Sequence, residues 1–301
     1  MFHEESYKKH NDWYNLQFPT EISKIEYLKK NSSNEDTIGN WLQNIFFSCL
    51  NPLLNTVHKT TWLTVGDAYG FDAAYLLSKG ADSVVASDLN SDFLKMSKDA
   101  GLIEEYSSEN AENLSFNKNE FDFVLCKESY HHFPRPYAAM YEMIRVAKKG
   151  IIIIEPQDPI SKMPVLLAMT NLIAKVNPSL IRHLWKNQFS FEPVGNYVYK
   201  VSEREFEKFA AGLDLPLVAF KQINPNFHSK DSQQLKSDFS QHKFKKILFK
   251  KTFLDLLVKF NLIPGQVLSA IIYKEMPLAD EIARLQKIGY KTVLIPKNPY
   301  K

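Results

Sequence analysis

The chain has 301 residues, 45% of them hydrophobic and 24% charged, with a formal net charge of +3. This is ordinary globular composition, long enough to bury a core without disulfides, and its near-neutral balance excludes a chain held to nucleic acid by global charge. Two cysteines without metal-ligand spacing, Cys49 and Cys126, fit a reducing cytoplasm better than a disulfide-framed secreted fold. The acid-bearing N-terminus has no apolar run behind it, so no signal peptide is expected. No stretch approaches the roughly 20 apolar residues of a bilayer span.

In chain order, residues 1–58 read as an N-terminal helical segment. Within it, Ile38, Trp41, Leu42, Ile45, Phe46 and Cys49 recur at three-to-four spacing and predict an amphipathic helix over 37–54. From residue 60 the texture changes. Trp62-Leu63-Thr64-Val65 predicts a strand ending at Gly66, followed by a helix over 72–79 that Gly80 terminates. A second strand over 83–87 ends at Asp88, a helix covers 93–99, and Phe121-Asp122-Phe123-Val124-Leu125-Cys126 predicts another strand. A helix over 137–147 then leads to Ile151-Ile152-Ile153-Ile154, the pattern of a strand buried on both faces. Residues 156–213 read as largely helical, with a turn at Pro178 and a loop over 191–195. Late strands are predicted over 217–223 and 267–273, with a basic, Phe-rich helix between them. Strands alternating with helices imply a doubly wound, Rossmann-like α/β fold.

The turn Gly66-Asp67-Ala68-Tyr69-Gly70 joins a strand to a helix, a context that aims backbone N–H groups and a helix N-terminus at a ligand. Asp88 closes the next strand, where a carboxylate accepts hydrogen bonds from both hydroxyls of a ribose, with Leu89 beside it. The bland reading of Asp88 is a helix N-cap. These features fit a dinucleotide or an adenosyl cofactor equally.

Further stretches separate the two. Asn110-Ala111-Glu112-Asn113-Leu114-Ser115-Phe116 resembles the Asp-Ala-x-x-Leu-Pro-Phe stretch of class I S-adenosylmethionine methyltransferases, which closes over the adenine. Phe121-Asp122-Phe123-Val124 resembles that family's fourth strand, and 141–155 its next helix and fifth strand. The resemblance covers about residues 60–156. It implies S-adenosylmethionine as cofactor and a seven-stranded sheet whose final strand inserts antiparallel. It also implies a methyltransferase domain over 59–301, with helical insertions at about 157–215 and 225–265. Cofactor contacts are implied at Gly66, Asp67, Ala68, Gly70, Asp88, Leu89, Asn110, Ala111, Glu112, Lys127 and Glu128. Two positions depart from the family pattern: Thr64 stands where an acid is usual and Ala68 where a glycine is usual. Asp67 is expected to offset Thr64 by meeting the cofactor's ammonium. Ala68 is tolerable if its φ is negative.

The loop Lys127-Glu128-Ser129-Tyr130-His131-His132-Phe133-Pro134-Arg135-Pro136 should lie at the carboxyl edge of the sheet, where donor and acceptor meet. A histidine suits removal of a hydroxyl proton near neutral pH, so His131 or His132 is the expected general base, with one of the two facing the site. The alternative is that the pair only shapes the turn. No resident metal is expected, because no other histidine or carboxylate lies at ligand spacing in sequence. Trp13, Tyr14 and Phe18 read either as rings of a lid or as core. Tyr197, Tyr199 and Lys200 read as a sugar-stacking patch or as packing. Residues 236–259 fit an anionic lipid surface, a phosphorylated acceptor or, preferred here, a helix packed on the sheet edge with snorkelling lysines.

The loop resembles those of bacterial methyltransferases that modify surface polysaccharides or other sugars, which implies a sugar or nucleotide-sugar hydroxyl as acceptor and a cytoplasmic enzyme. A nicotinamide oxidoreductase would show a tighter Gly-x-Gly-x-x-Gly, and a nucleic-acid methyltransferase a Pro-Pro-Tyr-like motif or a strongly basic groove. A non-catalytic adenosyl-binding or partner-binding protein would bind cofactor without turnover.

Overall fold

The computed structural model describes residues 2–32, 35–54, 59–159, 162–181, 189–192 and 195–300. Parts of the expected 157–215 insertion, and Pro193-Val194 of the 191–195 loop, lie outside them.

The N-terminal segment folds as α1 (Phe2–Gln17), α2 (Glu21–Asn31), α3 (Ile38–Phe47) and one further turn, α4 (Asn51–Leu54). Thr20 caps α2 through a reciprocal box with Ser23, and Thr37 caps α3 by accepting the Asn40 N–H at 3.1 Å. The single helix expected over 37–54 is therefore broken. Proline has no N–H to extend a helix but fits its first turn, and Pro52 stands in the first turn of α4, after α3 has ended at Phe47.

The sheet follows as β1 (Thr61–Val65), α5 (Phe71–Ser78), β2 (Ser83–Asp88), α6 (Asp92–Asp99), β3 (Glu105–Ser108), β4 (Phe121–Lys127), α7 (Pro136–Val146) and β5 (Ala147–Pro156). Then come α8 (Pro164–Val176), α9 (Glu203–Gly212), β6 (Leu217–Ile223), α10 (His242–Lys259), β7 (Val267–Tyr273), α11 (Ala279–Lys287) and β8 (Lys291–Leu294). The strand order is β3-β2-β1-β4-β5-β7-β6-β8. Strands β1 to β5 pair in parallel, and β7 inserts antiparallel between β5 and β6. The expected doubly wound α/β fold is present, with one correction: the sheet has eight strands rather than seven. The extra strand, β8, pairs antiparallel with β6 at the edge through Leu217–Leu294 and Phe220–Lys291.

Side-chain alternation fills both faces. Leu63, Val124, Ile151 and Ile153 pack with Met140 and Met143 of α7, while Trp62, Leu125, Ile152 and Ile154 pack with Ala73 and Leu76 of α5. Each such side chain contributes roughly 1.5–3 kcal/mol of burial. Gly150 allows the β5–β7 pairing to be close, because a Cβ there would lie 2.7 Å from the Ile272 carbonyl oxygen. The order of strands reverses between β1 and β4, so the carboxyl ends of β1, β2, β4 and β5 open a crevice at one edge. No described helix is long and apolar enough to cross a membrane.

Candidate active site

The crevice is a cavity of about 960 Å³, at the upper end of the roughly 300–1,000 Å³ usual for small-molecule sites. Gly66, Asp67, Ala68, Asp88, Leu89, Asn110, Ala111, Glu112, Lys127, Glu128 and His132 line it; Gly70 and His131 do not.

Gly66 is required twice over. Its φ is +74°, and a Cβ would meet the Ser129 Cβ at 2.5 Å. Ser129 comes that close because its hydroxyl donates to the Gly66 carbonyl at 2.6 Å, fastening the loop after β4 to the turn after β1. Gly70, with φ +76°, stands at the N-cap of α5. Ala68 is absent from the positive-φ residues, so its methyl costs the turn nothing.

Asp67 is held from within the turn. Its carboxylate accepts the Thr64 hydroxyl at 3.0 Å and the backbone N–H groups of Asp72 and Ala73 at 3.3 and 2.9 Å. It thus caps α5 from inside the turn rather than standing free for a ligand ammonium. Thr64, where an acid is usual, supplies the donor that holds it.

Asp88 accepts the Asn90 N–H at 2.9 Å and is not the cap of α6, which begins after Ser91. Burial pushes its carboxyl up to about 7, against the pull of those backbone donors. Asn110 accepts the Glu112 N–H through its amide oxygen at 3.0 Å, forming a tight turn. The Glu112 carboxylate is fully engaged: it accepts the Arg135 backbone N–H at 2.8 Å, the Arg135 Nε at 2.5 Å and the Tyr7 hydroxyl at 2.6 Å.

Lys127 forms a buried pair with Asp72, Nζ to Oδ1 3.1 Å, and lies 5.5 Å from the ring centres of both Phe46 and Phe47. Burial works against its charge, but Asp72 and Glu128 outweigh it and hold the ammonium above its usual value. Burial raises the Asp72 carboxyl to about 7, opposed by Lys127. Glu128 sits in the left-handed region with φ +53°, and burial raises it too.

The two histidines serve different neighbours although their ring centres are 3.9 Å apart. His131 Nδ1 lies 2.5 Å from Oε2 of the fully buried Glu155 at the end of β5. Burial pulls its pKa down, but the Glu155 charge and hydrogen bond more than reverse this and leave it raised. His132 faces the cavity with Nδ1 on the Glu192 carboxylate. Its backbone carbonyl accepts from Asn196 Nδ2 at 2.6 Å, and Asn196 Oδ1 accepts the Ser6 hydroxyl of α1 at 2.6 Å.

Glu155, Glu192, Asn196, Ser6 and Tyr7 were not singled out by sequence. Only Glu155 left a signal, an acid directly after four isoleucines on a strand buried throughout. Glu192 joins His131 and His132 from a distant part of the chain, with one ligand-type atom from each within 4.8 Å of the others, a grouping that sequence spacing concealed. Tyr197 and Tyr199 meet edge-on at 5.0 Å and are not among the cavity residues.

Residues 63–154 match the family model described as a methyltransferase domain. No curated protein matches the chain. Among solved structures, the chain resembles a Haemonchus contortus phosphoethanolamine N-methyltransferase 2 at 15% identity and TM-score 0.52, covering 88% of this chain and 60% of that one. It also resembles YcgJ of Bacillus subtilis at 17% identity and TM-score 0.46, covering 77% and 100%. An S-adenosylmethionine-dependent methyltransferase of Methanosarcina mazei aligns at 17% and TM-score 0.44, covering 74% and 95%. On this doubly wound sheet, the stretch from β1 and the glycine turn to β5 matches a methyltransferase domain. The chain is an S-adenosylmethionine-dependent methyltransferase.

Proposed function

We propose that the chain methylates a hydroxyl of a small acceptor, a sugar or nucleotide sugar of the kind used in bacterial polysaccharide biosynthesis, with His132 as general base. The single observation that carries this is that His132, and not its neighbour, lines the cavity that also contains Gly66, Asp88 and Asn110.

S-adenosylmethionine, when bound, supplies an electrophilic methyl group. The bare approach at Gly66 suits a ligand pressed against backbone. Asp88 binds the ribose hydroxyls, Leu89 and Ala111 pack beside the adenine, and Asn110 accepts from the adenine amino group with its remaining lone pair. Glu128 is the acid left to meet the ammonium, since Asp67 is engaged in capping. Glu192 holds His132 Nδ1, which leaves Nε2 to take the proton of an acceptor hydroxyl. The far cavity wall, with Thr37, Asn40, Trp41, Asn44 and Gln233, offers amides, a hydroxyl and an indole face, the groups that recognise a sugar. Helix α1 roofs the site as a lid.

Turnover of S-adenosylmethionine carrying a labelled methyl, against a panel of nucleotide sugars, tests the reading. His132→Ala should lower kcat by about 10²–10⁴-fold, the usual contribution of a general base, with cofactor affinity unchanged by calorimetry. Full turnover in that variant would overturn the base assignment.

A further inference from the structure

Helix α10 has two unlike faces. Phe244 and Ile247 are buried against Ile38 and Leu42 of α3, with Trp41 edge-on to Phe244 at 5.2 Å. It therefore packs on α3 rather than on the sheet edge. On the outward side, Phe249, Phe253, Leu256 and Phe260 recur at four, three and four residues, so they share one stripe along the axis. All four are exposed, from 49% at Leu256 to 76% at Phe249.

Exposed lysines flank the stripe. Lys245, Lys246, Lys250 and Lys259 have no acidic partner among the described residues, whereas Lys243 and Lys251 pair with Asp231 and Asp255. Asp255 is the only acid of the helix. A second surface repeats the pattern: α8 buries only Thr170 and exposes Val165, Leu172 and Val176, with Lys175 its only charge. Lys162, just ahead of α8, and Lys251 and Lys259 of α10 border the same cleft.

We infer that α10, assisted by α8, lies on an anionic phospholipid surface. Phenylalanines in a row between unpaired lysines match what an interfacial helix needs, with rings in the acyl boundary and ammonium groups at the phosphates. Neither helix can span a bilayer, so the contact is superficial. A second copy of the chain is a poor occupant, because a two-fold pairing of this face would set lysine rows against each other. Since α3 carries α10 on one face and lines the cavity with Thr37, Trp41 and Phe47, the lipid contact stands one helix from the site.

Co-sedimentation with vesicles of phosphatidylglycerol mixed into phosphatidylcholine, compared with phosphatidylcholine alone, tests the inference. The full chain should bind the anionic vesicles and be released by added salt. Phe249→Ser with Phe253→Ser, and separately Lys246→Glu with Lys250→Glu, should each weaken binding by about tenfold or more. Thermal unfolding should be unchanged, because these side chains face outward. No binding to anionic vesicles, equal binding to neutral ones, or wild-type binding by both double variants would overturn the inference. So would a concentration-dependent dimer in gel filtration that the phenylalanine variant dissolves, which would assign the face to self-association.

Discussion

Glu155 and His131 fix the loop on which the site depends. Oε2 of Glu155 meets His131 Nδ1 at 2.5 Å, while Oε1 accepts the backbone N–H groups of Ser129 and Tyr130, both at 2.7 Å. One fully buried carboxylate thereby gathers three consecutive residues and leaves the fourth, His132, turned to the cavity. Residues 131 and 132 have the same chemistry and adjacent positions, yet the first is bound to Glu155 and the second faces the cavity.

His131→Ala should therefore cost stability more than chemistry. It leaves a buried carboxylate without its cation, which is worth about 3–5 kcal/mol and is measurable by urea unfolding. The pH dependence has a definite sign. The folded pKa of His131 lies above its ordinary value, so the pair's contribution is fully present below about 6.5 and fades as pH rises through the folded value. The variant should show a flatter stability profile in that window. An unchanged midpoint and slope would remove the positioning role.

If Asp88 is the ribose partner, it should link pH to cofactor affinity. Its carboxyl, pushed up to about 7 by burial, must be ionised to accept two ribose hydroxyls. Affinity for S-adenosylhomocysteine should rise from pH 6 to pH 8, by about tenfold for a group titrating near 7, and then level off. Calorimetry at several pH values checks this, with Asp88→Asn expected to bind weakly and without the slope. A wild-type affinity that is flat across the interval would show that Asp88 is not the ribose partner.

Asp72→Ala strands the Lys127 ammonium between Phe46, Phe47 and the cavity floor. Breaking one side of a buried pair costs about 3–5 kcal/mol, and the lysine pKa should fall once its partner's field is gone. Asp72→Asn, which keeps the volume and a hydrogen-bond acceptor, should recover part of the loss. Equal stability of Asp72→Ala and the parent would mean that the pair adds nothing.

Much of this site was legible because its residues lie at strand ends that sequence periodicity marks. Asp88 follows a β-rich run and Gly66 ends one, and the turn-strand-acid order survives in the fold without adjustment. The late strands at Leu217–Ile223 and Val267–Tyr273 were equally plain, since both are apolar for most of their length. Strands β3 and β8 were not. Each has four residues with exposed ends, and their sequences, Glu-Tyr-Ser-Ser and Lys-Thr-Val-Leu, are the polar or short segments that edges carry. The capping bonds of Asp67 were hidden for a different reason. A turn aspartate reads the same whether it faces a ligand or the helix that follows. Only the three-dimensional path shows the N–H groups of Asp72 and Ala73 beneath it.

The relation of Tyr7 to Glu112 bears on the lid. Helix α1 reaches both sides of the cavity, through Tyr7 to Glu112 and through Ser6 to Asn196, while Tyr14 packs edge-on against Tyr69 at 6.2 Å. Tyr7→Phe removes one hydrogen bond without orphaning Glu112, which keeps both Arg135 donors. Global stability should change by less than about 1 kcal/mol. If α1 closes over bound cofactor, the lost bond should appear in affinity instead, weakening S-adenosylhomocysteine by about five- to tenfold. Limited proteolysis near Phe18 and Pro19, between α1 and α2, gives an independent reading: ligand should slow cleavage in the parent and slow it less in the variant. Cleavage that ignores ligand, together with unaltered affinity, would make α1 a fixed wall of the cavity and not its lid.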